Sequence, residues 1–135
     1  MPNWSKCKLK ASLPSDNASI FISLFLTGDY EEDHKRKKCF YRSYLSSYSI
    51  KPSSLETSKI EVEFECAWSI YDCFLSPRLK EGNDIYQNIE DIVNSLNITY
   101  LFLFGEEPGC NLRERVYFDK EKGDKRIRYS VDDLY

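Results

Sequence analysis

The chain has 135 residues, 41% of them hydrophobic and 30% charged, with 19 basic side chains against 22 acidic ones and a net charge of -3. That mixture lies in the globular range rather than the disordered one, and 15.9 kDa suits one domain, which surface scaling folds from roughly 23,000 Å² of exposed area to roughly 7,300 Å². The acidic balance argues against a protein that coats nucleic acid, and the longest apolar-leaning run, Ala18 to Leu26, falls well short of the roughly 20 residues of a membrane-spanning helix.

In chain order, Lys6, Lys8 and Lys10 alternate with Cys7, Leu9 and Ala11, the pattern of a half-buried strand. Pro14-Ser15-Asp16-Asn17 supplies a turn and an N-cap, and Ile20, Phe21, Leu24 and Phe25 recur at helical spacing, predicting a helix over 17–26 that stops near Gly28. Residues 29–38 form a charge block, with Asp29, Glu31, Glu32 and Asp33 followed by Lys35, Arg36, Lys37 and Lys38, which is expected to be a solvated loop. Cys39 to Ile50, with Phe40, Tyr41, Tyr44 and Tyr48, suits a strand, and Pro52 with its serines marks the next connection.

The clearest strand is 59–68, where Ile60, Val62, Phe64, Cys66 and Trp68 alternate with Lys59, Glu61, Glu63 and Glu65. Ser69 caps a short helix through Leu75 that Ser76-Pro77 interrupts. A second core-facing helix restarts at Asn83 or Asp84 and carries Ile85, Ile89, Ile92, Val93 and Leu96 as its apolar stripe. Ile98 to Phe104 is a continuous apolar run, expected to be a strand buried on both faces. After Gly105-Glu106-Glu107-Pro108-Gly109, taken as an exposed turn, Leu112 to Phe118 and Lys125 to Val131 form a hairpin.

The order strand, helix, strand, strand, helix, strand, hairpin predicts an α+β domain spanning 1–135: a ferredoxin-like split βαβ antiparallel sheet with two helices on one face and an added C-terminal β-hairpin. In that plan the first and third strands are antiparallel neighbours, so the lysine stripe and the glutamate stripe must meet in a cross-strand charge ladder. Because those central positions are lysine and glutamate rather than aromatic, base stacking of the RNA-recognition kind is not expected.

Cys7, Cys39, Cys66, Cys73 and Cys110 include no Cys-x-x-Cys pair, so free, mostly buried thiols in a reducing compartment are expected rather than a metal site or a disulfide framework. Lys6, Lys8 and Lys10 before an apolar stretch resemble a signal peptide, but Pro14 and Asp16 interrupt it and no small-residue cleavage site follows; the expected location is cytoplasmic. His34, the single histidine, sits in the charge block with no cysteine at nucleophile-base spacing, and five glycines include no Gly-x-Gly for phosphate. No catalytic constellation, cofactor or metal is therefore expected, and Trp4 and Trp68 are assigned to the core or its edge.

The opening Met1-Pro2-Asn3-Trp4, the strand end Ala67-Trp68-Ser69, and the strand-loop-strand Phe102 to Phe118 with Gly105 and Gly109 together resemble the YubB-type family of small ferredoxin-like proteins carried by plasmids and phages. The sequence departs from that pattern at Ser5, where a cysteine usually follows the tryptophan, and at Ile70-Tyr71, where proline usually follows Ala-Trp-Ser; its loop Glu106 to Cys110 is also less glycine-rich. The resemblance implies a fold and a mobile-element origin, and no reaction.

Ten tyrosines, three of them close together beside Arg42, match the composition of a protein-binding hot spot, and the acidic cluster could imitate nucleic-acid phosphate in a basic groove of a partner. The expected function is a non-enzymatic inhibitor from a phage or other mobile element that associates stoichiometrically with a host protein, such as a CRISPR effector or another bacterial defence component. Its expected contact residues are Asp29, Glu31, Glu32 and Asp33 with Tyr41, Arg42, Tyr44 and Tyr48. The alternative is a nucleic-acid-associated accessory protein using Lys35 to Lys38 and Lys120 to Arg128, and a third reading is a small hydrolase or nuclease.

Overall fold

A computed structural model describes residues 3–28, 39–81, 86–109 and 112–133. Strand β1 (Trp4–Pro14) buries Cys7, Leu9, Ala11 and Leu13 and exposes Lys6, Lys8 and Lys10, as two-residue alternation requires. Helix α1 (Ser15–Ile22) follows at once and is shorter than its apolar spacing predicts. The reason is competition: the Leu26 N–H donates to the Ser43 carbonyl at 2.8 Å and the Leu45 N–H to the Leu26 carbonyl at 2.7 Å. Those backbone bonds draw the chain out of the helix and along β2 (Ser43–Pro52).

Strand β3 (Thr57–Ala67) buries Ile60, Val62, Phe64 and Cys66. The helix expected through Leu75 is a π turn at Tyr71–Leu75, followed by a 3-10 turn at Pro77–Lys80. The expected restart at Asn83 or Asp84 lies outside the described residues; helix α2 runs over Ile89–Ser95, with the Asn88 side chain accepting from the Glu90 N–H at 2.9 Å as an N-cap. Asn97 at φ 54 ends it, and the Ile98 N–H reaches back to the Val93 carbonyl at 3.0 Å, the bond of a Schellman turn.

The remaining strands are β4 (Tyr100–Glu107), β5 (Leu112–Asp119) and β6 (Arg128–Asp133). All six strands form one sheet of order β2-β3-β1-β4-β5-β6 with every neighbour antiparallel. The C-terminal hairpin therefore extends the main sheet, and the molecule is α+β with a six-stranded antiparallel sheet. Beta2 and β6 lie at opposite edges, so the aromatic edge strand is not covered by the hairpin.

The charge ladder is present, with Lys6 opposite Glu65, Lys8 opposite Glu63 and Lys10 opposite Glu61. The Lys8–Glu63 pair closes to 3.6 Å while remaining well exposed, so it contributes at most about 1 kcal/mol.

One core lies on the opposite face, where α1, the π turn and α2 all contribute side chains to a single cluster with β1, β3, β4 and β5. At its centre the Phe25 ring meets Phe40 edge-on at 5.1 Å and Phe64 at a tilt at 4.8 Å, and Phe74 from the π turn closes on Phe40 at 4.7 Å. Fully buried rings in such edge and tilted contacts hold the largest share of apolar area per residue. Gly105 on β4 leaves room for the π segment, since a Cβ there would sit 2.5 Å from the Ile70 Cδ1 and 3.1 Å from the Cys7 Sγ.

Two expectations about β4 are corrected. It is buried on one face only, with Leu101 and Leu103 inside and Tyr100, Phe102 and Phe104 half-exposed, because β5 continues the sheet beside it rather than a layer covering it. Glu106 and Glu107 belong to the strand rather than to an exposed turn. Glu107 is buried, with the Gly109 N–H donating to it at 2.9 Å, and Glu106 pairs with Arg113 at 3.2 Å.

Candidate functional site

Beta3 leaves the sheet at Trp68, and the exit is held from two sides. The Trp68 N–H donates to the Asn3 carbonyl at 2.6 Å, and the hydroxyl of buried Ser5 donates to the Trp68 carbonyl at 2.7 Å. Trp68 adopts φ 69, a left-handed backbone that costs a side-chain-bearing residue about 1–2 kcal/mol. Its side chain is not in the core as expected: the residue is 47% exposed, and Trp4 is 36% exposed. Left-handed tryptophan facing solvent runs against both conformational preference and burial, and residues of that kind gather at functional sites.

Beside it the chain enters β2 through a second left-handed residue, Arg42 at φ 45, whose carbonyl accepts the Ala67 N–H at 3.1 Å. Buried Ser43 donates its hydroxyl to the Tyr41 carbonyl at 3.0 Å and fixes the turn. The Tyr41 ring meets the Tyr86 ring edge-on at 4.8 Å, and the Tyr86 backbone is itself tied to the Leu79 carbonyl at 2.9 Å. Tyr41, Trp68 and Tyr86, with Asp72, Arg78 and Glu81, line a cleft of about 500 Å³.

A buried carboxylate holds the segment that follows Trp68. Glu114 on β5 accepts the Ile70 N–H at 2.8 Å, the Tyr71 N–H at 3.0 Å and the Tyr129 hydroxyl at 2.6 Å. Three donors satisfy the charge that burial would otherwise penalise. Tyr71 and Tyr129, both partly exposed, lie 5.6 Å apart over it. Burial, and then the bond to Glu114, push the Tyr129 hydroxyl well above the usual phenol range.

Of the eight residues expected to contact a partner, Asp29, Glu31, Glu32 and Asp33 lie outside the described residues, as does His34. Tyr41 lines the cleft, and Arg42 follows it in the turn, its carbonyl accepting the Ala67 N–H. Tyr44, on the other face of the same sheet end, packs edge-on against Trp4 at 5.8 Å. Tyr48 stands apart, 54% exposed on the β2 edge beyond the irregularity between Leu45 and Ser47. Of the four described residues Tyr41 alone lines the cleft, where Trp68 and Tyr86 join it. For Trp68 the sequence did carry a signal, since the alternation that makes it inward-facing ends one residue earlier, at Ala67.

Buried Cys7 and Cys66 bring their sulfurs to 3.7 Å, and the Cys73 thiol donates to the Ala67 carbonyl at 3.0 Å. The bond with Cys7, together with burial, pushes the Cys66 thiol upward, and the bond with Cys66 and burial do the same to Cys73. Raised in this way, the Cys66 and Cys73 thiols are poor nucleophiles and serve as packing groups. Among the described residues no three His, Cys, Asp or Glu side chains are gathered as a metal ion requires, and no helix is long and apolar enough to cross a membrane. No protein-family model, curated protein or solved structure matches the chain.

Proposed function

We propose that this is a non-enzymatic binding protein that acts by stoichiometric association with another protein through the Trp68 end of its sheet. The observation that carries the reading is Trp68 itself, exposed on a left-handed backbone beside the Tyr41–Tyr86 pair. Tryptophan, tyrosine and arginine are the residues that dominate binding hot spots, and the bonds of the Trp68 N–H to Asn3 and of Ser5 to the Trp68 carbonyl fix the backbone that carries the indole before any partner arrives. A pre-ordered anchor loses less freedom on association than a mobile one.

The finer fold reading belongs to the same proposal. Strands β2-β3-β1-β4 with α1 and α2 form a ferredoxin-like split βαβ unit, and β5 and β6 extend it. The resemblance to YubB-type proteins supports a phage or mobile-element origin, with a host protein as target and bacterial defence complexes, CRISPR effectors among them, as the first class to test. In support, Trp4, Ala67-Trp68-Ser69 and Gly105, which carry that resemblance, converge here: Trp4 is opposite Ala67, and Gly105 packs against Ile70.

The test is affinity capture of tagged protein from a bacterial lysate containing active defence complexes, with a nuclease-treated duplicate. Any retained protein is then purified and its stoichiometry with the wild type and Trp68→Ala measured by light scattering. A one-to-one complex that survives nuclease and is lost in Trp68→Ala supports the proposal. Partners that vanish with nuclease, or a complex indifferent to Trp68→Ala, would sink it.

A further inference from the structure

The sheet face opposite the core is uncovered by the helices, and its side chains line up in continuous cross-strand rows. One row runs Glu63, Lys8, Phe104, Arg115, Ser130; the next runs Glu61, Lys10, Phe102, Tyr117, Arg128. The aromatic strip of β4, prolonged by Tyr100 and by Tyr117 on β5, is thus bracketed by lysines on β1 and by arginines on β5 and β6. Phe102, Phe104 and Tyr117 are half-exposed, while Lys8, Lys10, Arg115 and Arg128 are exposed. The Arg128 guanidinium already lies 4.8 Å from the centre of the Tyr117 ring.

We infer that this face is a second binding site, distinct from the Trp68 cleft, whose ligand is a short stretch of single-stranded nucleic acid. Three observations select that chemistry. Rings standing on a flat sheet offer stacking faces to any base. Phe102 and Phe104 are separated by about 6.8 Å along the strand, twice the roughly 3.4 Å rise of a stacked nucleotide strand, so they accept splayed bases rather than a continuous stack. Cations flank the strip on both sides, about one strand spacing of 4.8 Å to the β1 lysines and a similar step to Arg115, where the backbone of a strand lying on the rings would carry its phosphates.

The carboxylates on this face do not close it. Lys8 is shared with Glu63, Arg115 pairs with Asp132 at 3.5 Å and Arg128 with Asp124 at 3.3 Å, but ion pairs whose cations are exposed hold little and are readily exchanged for phosphate. The glutamate stripe on β3 confines a polyanion to the β1-β4-β5-β6 side of the sheet. The net charge of -3 weakens long-range attraction and fits a short docked segment rather than a coated strand. The lysine and glutamate positions of β1 and β3 gave no stacking platform in the sequence; β4 supplies it.

The experiment is fluorescence anisotropy of labelled oligothymidylate and oligouridylate with the full chain at about 50 mM and about 200 mM salt. Expected is saturable binding whose log affinity falls with log salt at a slope of about -3, if Lys8, Lys10, Arg115 and Arg128 each displace one counterion. Phe102→Leu/Phe104→Leu, which keeps apolar bulk and removes the stacking faces, should lower affinity about tenfold or more, with circular dichroism unchanged, and Arg115→Glu should do the same. Trp68→Ala should leave oligonucleotide binding intact, which separates this site from the protein-binding cleft. No saturable binding at the lower salt would overturn the inference. So would affinity indifferent to the phenylalanine pair, or lost only when Lys35 to Lys38 are replaced, or a face whose phenylalanine variants disturb protein capture alone.

Discussion

The hydroxyl of Ser5 donates to the carbonyl of Trp68 at 2.7 Å, tying the start of β1 to the residue where β3 leaves the sheet. Strain and exposure at Trp68 separate by substitution. Trp68→Gly relieves the left-handed backbone and Trp68→Ala does not, so the glycine variant should be the more stable of the two by about 1 kcal/mol, contrary to glycine's usual cost in a folded chain. Both should lose partner capture. Equal stabilities in urea denaturation would refute the strain.

Glu114 satisfies three donors from a buried position, so Glu114→Gln, which places an amide donor against N–H groups, should cost about 2 kcal/mol or more. The Tyr129 hydroxyl that rests on it has its pKa raised in the fold, by burial first and then by Glu114. Folded protein therefore holds a proton that the unfolded chain releases above about pH 10. The contribution is complete below that pH and is lost as pH climbs further. Comparing stability at about pH 8 and about pH 11, the wild type should lose more than Tyr129→Phe; parallel losses would exclude the linkage.

The close approach at Gly105, where an added Cβ would meet Ile70, predicts that Gly105→Ala costs about 1–3 kcal/mol through overpacking. Ile70→Val removes the nearest methyl, so the double variant should be more stable than the two single costs summed predict. Thermal melts of the four proteins give the coupling directly, and simple additivity would show that the contact is not what makes glycine necessary.

Cys7, Cys39, Cys66 and Cys73 are all buried thiols outside any disulfide. In native protein these four thiols should resist an aromatic disulfide reagent for as long as the fold persists, and should react once it is unfolded in urea. Mass spectrometry of labelled peptides assigns each site. Native labelling of Cys66 or Cys73 at neutral pH would contradict their raised proton affinity.

How far the sequence could be read followed the strength of its local patterns. Two-residue alternation in 6–11 and 59–67 was sufficient for β1, β3 and the meeting of lysines with glutamates, because side-chain period and charge point to the same faces. The aromatic content of 39–50 suggested one strand, but β2 begins only at Ser43, because Arg42 at φ 45 turns the chain before it. Alpha1 ended early because Leu26 found backbone partners in Ser43 and Leu45 on β2, outside the window that sets helical spacing, and propensity yields to tertiary contact. The run 98–104 concealed its two faces because both are hydrophobic; the clue was that one is aliphatic and the other aromatic. Trp68 was misassigned because the backbone turn that carries it is tied to Asn3 and Ser5, far from it in sequence.

The ladder between β1 and β3 also governs how the chain can go wrong. If β1 slipped by a single residue against β3, Lys6, Lys8 and Lys10 would point into the phenylalanine core and Cys7 and Leu9 would surface, because successive side chains alternate across the sheet. Each ion pair adds little to the free energy of the finished fold, yet a misaligned pairing must bury three ammonium groups without partners. The stripe of opposed charges is thus worth most in the states the protein never occupies, where it removes shifted alignments from competition.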